Sequence, residues 1–331
     1  MVRKLGVFRG LYLGDLVAAT GALRALRRGY PEAEISLISL PWAVALSPHL
    51  PHVNRILPYP GTPGLDGGGD EASLEKFVAR MRDERFGLAM NMHGRGPTST
   101  RLVIRFGARR TASFVGDEGD IRALDVGVPW DAEAHESRKL LLLAEKAVGS
   151  PTGALGSPEP ELHVREEDNW RARALVPPAK KHLAIVHPGA SVAEKRWPAQ
   201  AFGRVAEALV CQGYAVAVTG SMGERKLTRC ISGLAPGTMD LGGQTDLSTL
   251  IALVARASVL ISNDTGPAHL AYALQTPSVT IFGPSTDVER WGPLNRRRHA
   301  VLFGNPISNV STDNALRSIQ ALAMSQERLG A

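Results

Sequence analysis

The chain has little cysteine, few aromatic residues and no long apolar run. Cys211 and Cys230 are its two cysteines. Two thiols make no disulfide framework, and without a nearby Cys or His cluster they offer no zinc site. The apolar stretches, such as residues 16–26 and 140–144, are short and flanked by Arg or Lys. They fall well below the ~20 residues needed to span a bilayer. Arg9 and Asp15 interrupt the N-terminal segment and no small-residue cleavage site follows, so no secretory signal is expected and the expected location is the cytoplasm. Aromatics are 5% of the chain. No basic region is interleaved with stacking aromatics, which argues against a nucleic-acid partner.

Several chemical signatures are missing as well. There is no G-x-x-x-x-G-K-[ST] and no G-x-G-x-x-G after a predicted strand, so neither a P-loop ATPase nor a standard dinucleotide enzyme is supported. There is no G-x-S-x-G elbow. There is no D-x-D pair of the kind that holds a divalent metal against a diphosphate. Neither a metal nor a cofactor is expected, and any bound diphosphate must be neutralised by side chains and backbone N–H groups.

What is present is a globular composition. Of 331 residues, 44% are hydrophobic and 21% charged, and the length accommodates two domains with separate cores. The net charge is +6, and 8 of the 38 basic residues are Lys, so Arg supplies most of the charge. A basic surface suits phosphorylated ligands and anionic membrane surfaces.

Apolar runs with strand character alternate with helical patterns. Strands are predicted at residues 4–8, 34–40, 55–59, 86–92 and 111–115, with helices at 15–28, 73–85 and 135–148. Residues 62–70 read as an exposed Gly/Pro/Asp loop. Residues 149–160 are rich in Gly, Pro and Ser and form the predicted linker. The alternation then restarts, with strands at 182–186, 214–219, 239–241, 259–262 and 278–282. Helices follow at 199–212, 224–232, 247–257, 268–274 and 313–328. This pattern predicts an α/β chain of two Rossmann-like, doubly wound parallel-sheet domains facing a cleft. Such sheets bind ligands beyond the carboxyl ends of their strands, so the strand-end residues matter most.

The strongest strand end is Asn263-Asp264-Thr265-Gly266-Pro267-Ala268-His269. A helix opening on free N–H groups seats a diphosphate, Gly266 lets backbone come close, and His269 can point back at the same anion. An ordinary capped helix with a core histidine is the plainer alternative, but four such residues converge here. The second is His187-Pro188-Gly189-Ala190-Ser191, then Lys195-Arg196-Trp197-Pro198. Ser191 and Lys195 can hold phosphate oxygens, although taken alone Lys195 and Arg196 read as solvated surface charges. The third is Gly14-Asp15, where the carboxylate is either a helix cap or a general base. Glu224, after Thr219-Gly220-Ser221, either accepts bonds from a ribose or serves the helix dipole. His93 and Arg95 in Met92-His93-Gly94-Arg95-Gly96 are candidates for an anionic acceptor. Arg296-Arg297-Arg298 reads as a solvated charge run.

Together these segments resemble glycosyltransferase family 9, the ADP-heptose–lipopolysaccharide heptosyltransferases. Asp264-Thr265-Gly266-Pro267-Ala268-His269-Leu270-Ala271 is similar to the family's D-T-G-x-x-H-x-A, and Lys195-Arg196-Trp197-Pro198 to its K-x-W-P. Gly14-Asp15 and Gly283-Pro284 with Asp287 match further segments. The resemblance covers nearly the whole chain. It implies a GT-B fold with an N-terminal acceptor domain (1–155), a C-terminal nucleotide-sugar domain (156–310) and a closing helix (311–331) packing back on the first domain. It also implies inverting, metal-independent transfer. Asp15 would be the general base, Ser191 and Lys195 would bind donor phosphates, and Thr265, Gly266 and His269 would hold the diphosphate. Asp264 would position the sugar and Glu224 would approach the ribose. Thr245 stands where a Met often lies near the adenine, and Arg9 takes the place of a basic residue that follows the first strand on the acceptor side. The loop 10–13 lacks the small hydroxyl residues common in the lipopolysaccharide enzymes, and residues 91–96 differ from their acceptor side.

The expected partners are a nucleotide-sugar donor, ADP-heptose, and a glycan or glycolipid acceptor that carries phosphate, with peripheral contact at the inner membrane. Two other activities fit the same architecture: a nucleotide-sugar 2-epimerase, which needs no acceptor, and a non-catalytic nucleotide-sugar-binding protein.

Overall fold

The computed structural model describes residues 2–62, 65, 68–116, 124–176 and 182–330, with side chains described as far as residue 325. Residues 63, 64, 66 and 67 of the predicted 62–70 loop lie outside the described residues. The chain divides into two compact units, Met1–Glu161 and Leu162–Ala331. The division falls just past the Gly/Pro-rich segment.

The first unit is built on six parallel strands: β1 (Lys4–Phe8), β2 (Glu34–Ser39), β3 (Arg55–Pro58), β4 (Leu88–Asn91), β5 (Thr111–Val115) and β6 (Val126–Pro129). Their order is β3-β2-β1-β4-β5-β6. The second unit uses β7 (Leu183–His187), β8 (Ala215–Gly220), β9 (Met239–Gly242), β10 (Val259–Asn263), β11 (Ser278–Phe282) and β12 (His299–Phe303). Their order is β12-β11-β10-β7-β8-β9, again all parallel. Counted from each unit's own first strand, the two orders are identical. Each unit winds outward in one direction and then crosses to the other side of its first strand. The reversal lies between β1 and β4 in one unit and between β7 and β10 in the other. That reversal is where a doubly wound sheet opens a crevice for a ligand.

The central strands are continuous apolar runs, as strands covered on both faces must be. Every residue of β7, β10 and β11 is buried. The predicted helix 15–28 forms two: α1 (Leu13–Ala18) and α2 (Thr20–Gly29). Buried Thr20 explains the break. Its hydroxyl donates to the Val17 carbonyl at 2.7 Å and accepts from Glu161 N at 2.9 Å, so a side chain takes the place of the backbone ladder. After α3 (Glu71–Asp83) the sequence pattern leaves α4 (Pro97–Ile104), β6 and, beyond α5 (Glu136–Val148), α6 (Glu166–Leu175) unannounced, as it does β12 and the short helix at Val288–Trp291. Helix α6 is too polar to present a clear apolar stripe, and β6 is only four residues long.

The second unit continues with α7 (Ala199–Cys211), α8 (Arg225–Leu234), α9 (Leu247–Arg256), α10 (Gly266–Ala273), α11 (Val288–Trp291) and α12 (Thr312–Gly330). Helix α12 closes the second unit. Its stripe of Ala315, Ile319 and Leu322 belongs to the second unit's own core, with Trp197, Phe202, Val279 and Ile281. The spacing i, i+4, i+7 makes one helix face, and that face is used here.

Candidate active site

In the first unit, the chemistry collects where β1 and β4 end. Arg9 follows β1 and is fully buried. Its Nε donates to the Asp15 carbonyl at 2.7 Å, Nη1 donates to the Met92 carbonyl, and Nη2 lies 3.2 Å from Glu136 Oε1 and 3.5 Å from Asp15 Oδ1. Arg9 has no exposed surface and holds Asp15 from behind. Asp15 stands in the first turn of α1 with its side chain 21% exposed. Its carboxylate is engaged by Arg9 and caps no helix N–H among the described residues. Of the two sequence readings, a cap and a chemical group, the geometry removes the cap.

Glu136 and Lys139, on the first turns of α5, were not anticipated. Both side chains are almost fully buried, and Lys139 Nζ lies 3.2 Å from Glu136 Oε2 and 4.0 Å from the centre of the Trp130 ring. A signal existed in the sequence. Glu136 and Lys139 fall in the apolar register set by Leu140, Leu143 and Ala147, positions a surface helix fills with hydrophobic residues.

His93 follows β4 and stacks on Phe8 with ring centres 5.1 Å apart. Burial, with a smaller contribution from the nearby Arg9, lowers its pKa to about 4. Near pH 7 the imidazole is therefore neutral, and it would meet an acceptor as a hydrogen-bonding group. Its Nδ1 is buried without a hydrogen-bond partner among the described residues. The loop is held from below by buried Asn91, whose Oδ1 accepts from His93 N at 3.0 Å while Nδ2 lies 3.1–3.2 Å from Gly94 O, Ser99 Oγ, Thr100 Oγ1 and Ser113 Oγ. Arg95 is exposed, so it is the cation of this loop that a ligand can reach.

In the second unit the corresponding strand ends are those of β7 and β10. Asn263 ties them together. Its Oδ1 accepts from Trp197 N at 2.9 Å, and its Nδ2 donates to Pro188 O at 2.8 Å. Trp197 is anchored in turn by Nε1 donating to Val310 O at 2.9 Å. Arg196 bends the same loop closed, with Nε and Nη2 donating to Ala190 O at 3.0 and 2.8 Å. It is an exposed charge that also fastens the loop. The result places Lys195 Nζ 2.8 Å from Asp264 Oδ2. An ammonium has three donors, so this pair leaves two for a ligand. His269 Nε2 lies 3.9 Å from Asp264 Oδ1. Its ring is wedged edge-on between Tyr272 (5.3 Å) and Trp291 (6.3 Å), two residues the sequence did not mark. Thr265 and Gly266 open α10 with partly exposed backbone, and Ser191 is exposed on the loop before Lys195.

Glu224 serves two purposes. Its Oε2 accepts from Ser221 N and Oγ, both at 2.8 Å, in a capping box. The same carboxylate lies against Gly189 at the end of β7, where an added Cβ would sit 2.1 Å from Oε1. Beside it, buried His187 bonds Thr219 Oγ1 at 3.0 Å, and burial lowers its pKa to about 4 against the opposing pull of Glu224. Thr245 is half-exposed just before Asp246, which caps α9 through Thr249 N at 2.7 Å. Among the described residues no group of His, Cys, Asp and Glu is arranged to hold a metal ion.

Known proteins share this fold. The family model for glycosyltransferase family 9 (heptosyltransferase) matches residues 75–317, so the chain belongs to glycosyltransferase family 9. Lipopolysaccharide heptosyltransferase 2 of Escherichia coli K12 is 26% identical over 294 residues, covering 86% of this chain and 83% of the relative. The structure of the E. coli ADP-heptose lipopolysaccharide heptosyltransferase II superposes with a TM-score of 0.81 at 21% identity, covering 98% of this chain and 99% of the other. The E. coli heptosyltransferase WaaC with ADP gives 0.77 at 16% identity, over 97% and 100%. The fold is therefore GT-B and the protein is a glycosyltransferase. Family membership favours group transfer over the epimerase and binding-protein alternatives.

Proposed function

We propose that this enzyme transfers heptose from ADP-heptose to a hydroxyl of a lipopolysaccharide-core acceptor, with inversion at the anomeric carbon and without a metal ion. The observation that carries the reading is the Lys195–Asp264 pair at 2.8 Å, set at the mouth of α10 with His269 beside it. A nucleoside diphosphate leaves as an anion. A mobile ammonium, an imidazole and a helix N-terminus are the groups that stabilise such charge. Donor identity is supported by the relatives, one an ADP-heptose enzyme and another solved with ADP.

In this mechanism Thr265 and Gly266 offer backbone N–H groups to the diphosphate, and Ser191 and Lys195 take its outer oxygens. Asp264 accepts from Lys195 and from the sugar hydroxyls. Glu224 takes the ribose and Thr245 borders the base. Asp15, held by Arg9, removes the acceptor proton as the oxygen attacks the face opposite the diphosphate. Arg95 meets acceptor phosphate. The acceptor is a glycolipid precursor at the cytoplasmic face of the inner membrane, reached from the cytoplasm; no described helix is long and apolar enough to cross a membrane.

The test is titration of metal-free protein with ADP, UDP and GDP, followed by a transfer assay. ADP should bind best, and EDTA should leave turnover unchanged. Asp15→Ala should lower turnover by ~10²–10⁴-fold with ADP affinity retained. Preference for UDP or GDP would overturn the donor, and near-normal turnover of the Asp15 variant would overturn the base.

A further inference from the structure

Residues 40–54 contain no Asp, Glu, Lys or Arg. Their first part folds as a 3₁₀ helix, Pro41–His49, just after β2. With three residues per turn, every third side chain shares a face. Ala43, Leu46 and His49 form the stripe that is buried. The other two stripes turn outward, and on them Pro41, Val44, Ala45 and Pro48 are exposed, Val44 to 47%. An outward face with no charge on it is the kind of surface that another apolar body covers.

At Pro41 this face meets a groove of about 340 Å³ between the ends of β2 and β3 and the helix α3. Pro58 and Pro60 line it together with buried Tyr59 and Phe77, whose ring centres lie 5.6 Å apart. Helix α3 contributes Ser73, Lys76, Phe77 and Arg80, the i, i+3, i+4, i+7 pattern of one helix face. Lys76 and Arg80 are one turn apart and exposed, and neither makes a side-chain hydrogen bond or ion pair among the described residues. No acid is among the residues that line the groove. The nearest acids of α3 are engaged elsewhere: Asp70 caps the helix through Ser73 N at 2.8 Å, and Glu75 pairs with Arg105.

Two cations without counter-ions beside proline and aromatic walls match an amphiphile that joins phosphate to an apolar body. A free sugar fits less well, because it asks for fixed hydroxyl partners. The two hydroxyls of the lining already bond within the chain, Ser73 Oγ to Asp70 Oδ2 at 2.7 Å and Tyr59 Oη to Thr62 Oγ1 at 2.5 Å. We propose that the outward face of Pro41–His49 and the groove beside it form a membrane-docking surface whose occupant is an anionic phospholipid. Lys76 and Arg80 take the lipid phosphate, and Val44 and the prolines rest at the boundary between headgroup and acyl chain. The inference deepens the reading of the acceptor as a membrane glycolipid, since it holds the first unit at the surface where such an acceptor lies.

The test is cosedimentation of the full chain with vesicles of phosphatidylcholine alone or with about 30% phosphatidylglycerol, at about 0.1 M NaCl. Binding should require the anionic lipid and weaken as salt rises. Lys76→Gln/Arg80→Gln should lower the partition coefficient by about 10–30-fold. Val44→Asp should lower it by about fivefold. Arg204→Gln/Arg229→Gln removes two exposed charges of the second unit and should change it little. The surface-charge variant alone decides the matter should Val44→Asp not fold. No binding to the anionic vesicles, or equal loss in the two double variants, overturns the inference. So does a dimer, seen by sedimentation velocity, that Val44→Asp dissolves without any effect on vesicle binding, because a second copy then covers the face. Binding of glycerol phosphate in solution without binding of vesicles likewise overturns it in favour of a soluble phosphate ligand. The vesicle assay needs neither donor nor acceptor. A protein that docks as expected yet transfers nothing from ADP-heptose upholds the surface and refutes the transfer reading, so the two failures are separable.

Discussion

A methyl group at position 189 has nowhere to go. Gly189 is buried at the end of β7, and an added Cβ would stand 2.1 Å from Glu224 Oε1, 2.5 Å from Cδ and 2.8 Å from Oε2. Non-bonded carbon contacts settle near 3.5–4.0 Å, so the carboxylate must retreat by more than about 1 Å. It cannot do so and keep both 2.8 Å bonds from Ser221. Gly189 has no left-handed backbone angle, so the penalty is steric alone. Loss of the capping box removes about 1 kcal/mol, and residual overpacking adds about 1 kcal/mol more. Gly189→Ala should therefore destabilise the protein by about 2 kcal/mol, lowering Tm by roughly 4–8 °C for a unit of this size. If Glu224 holds the ribose, ADP affinity falls about tenfold as well. The decisive assay is a double-mutant cycle by thermal and urea unfolding. With Glu224→Ala already in place, the alanine at 189 should cost almost nothing further, giving a coupling of about 1 kcal/mol or more. Strictly additive effects would show that the clash is relieved elsewhere and would refute the reasoning.

Three further expectations follow from the same structure. Lys195→Ala should weaken ADP binding by about 10–100-fold, the worth of one to two charge-assisted bonds, and should also lower stability because nearly buried Asp264 loses its partner; titration calorimetry and urea melts read the two effects separately. Asn263→Ala removes the clasp joining β7, β10 and the Trp197 loop, so it should destabilise by about 1–3 kcal/mol in urea melts and weaken ADP binding through Lys195, whereas an effect confined to binding would deny the clasp. His187 and His299 are both held at a pKa of about 4 by burial. Unfolded histidine takes its proton near pH 6.5, so the stability these groups favour is complete above that value and is lost as pH falls from about 6.5 toward 4, at up to about 1.4 kcal/mol per unit for each. Denaturant midpoints for His299→Gln should fall less steeply across that window than those of wild type.

Strand ends carried most of what could be read from the chain. Glycine loops after apolar runs located β1, β7, β8, β10 and β11, and with them Asp15, Lys195, Glu224, Asp264 and His269. These residues are local: each lies within a few positions of the turn that announces it. What escaped was set by tertiary packing. Arg9 stands in the sequence as a basic residue after the first strand; its burial and its bond to Glu136, more than a hundred positions away, are not legible there. Arg196 is the solvated charge it looks like, and it also spans a loop to Ala190 O, which the sequence does not announce. His93 was read by residue type, but stacking on Phe8 and burial remove its charge. The polar helix α6 and the four-residue strand β6 lack a periodicity long enough to detect. Helix α12 displays its stripe plainly, yet no stripe names the surface it will meet.

The bond between Arg9 and Glu136 spans 127 positions. Before Glu136 is made, a nascent chain holding β1 through β4 has an arginine in its interior whose buried counter-ion does not yet exist. An intermediate that packed around that arginine would have only the partly exposed Asp15 as counter-ion, so burying it fully is costly until α5 arrives. The Arg9–Glu136 bond thus ties closure of the first unit to the presence of its last helix.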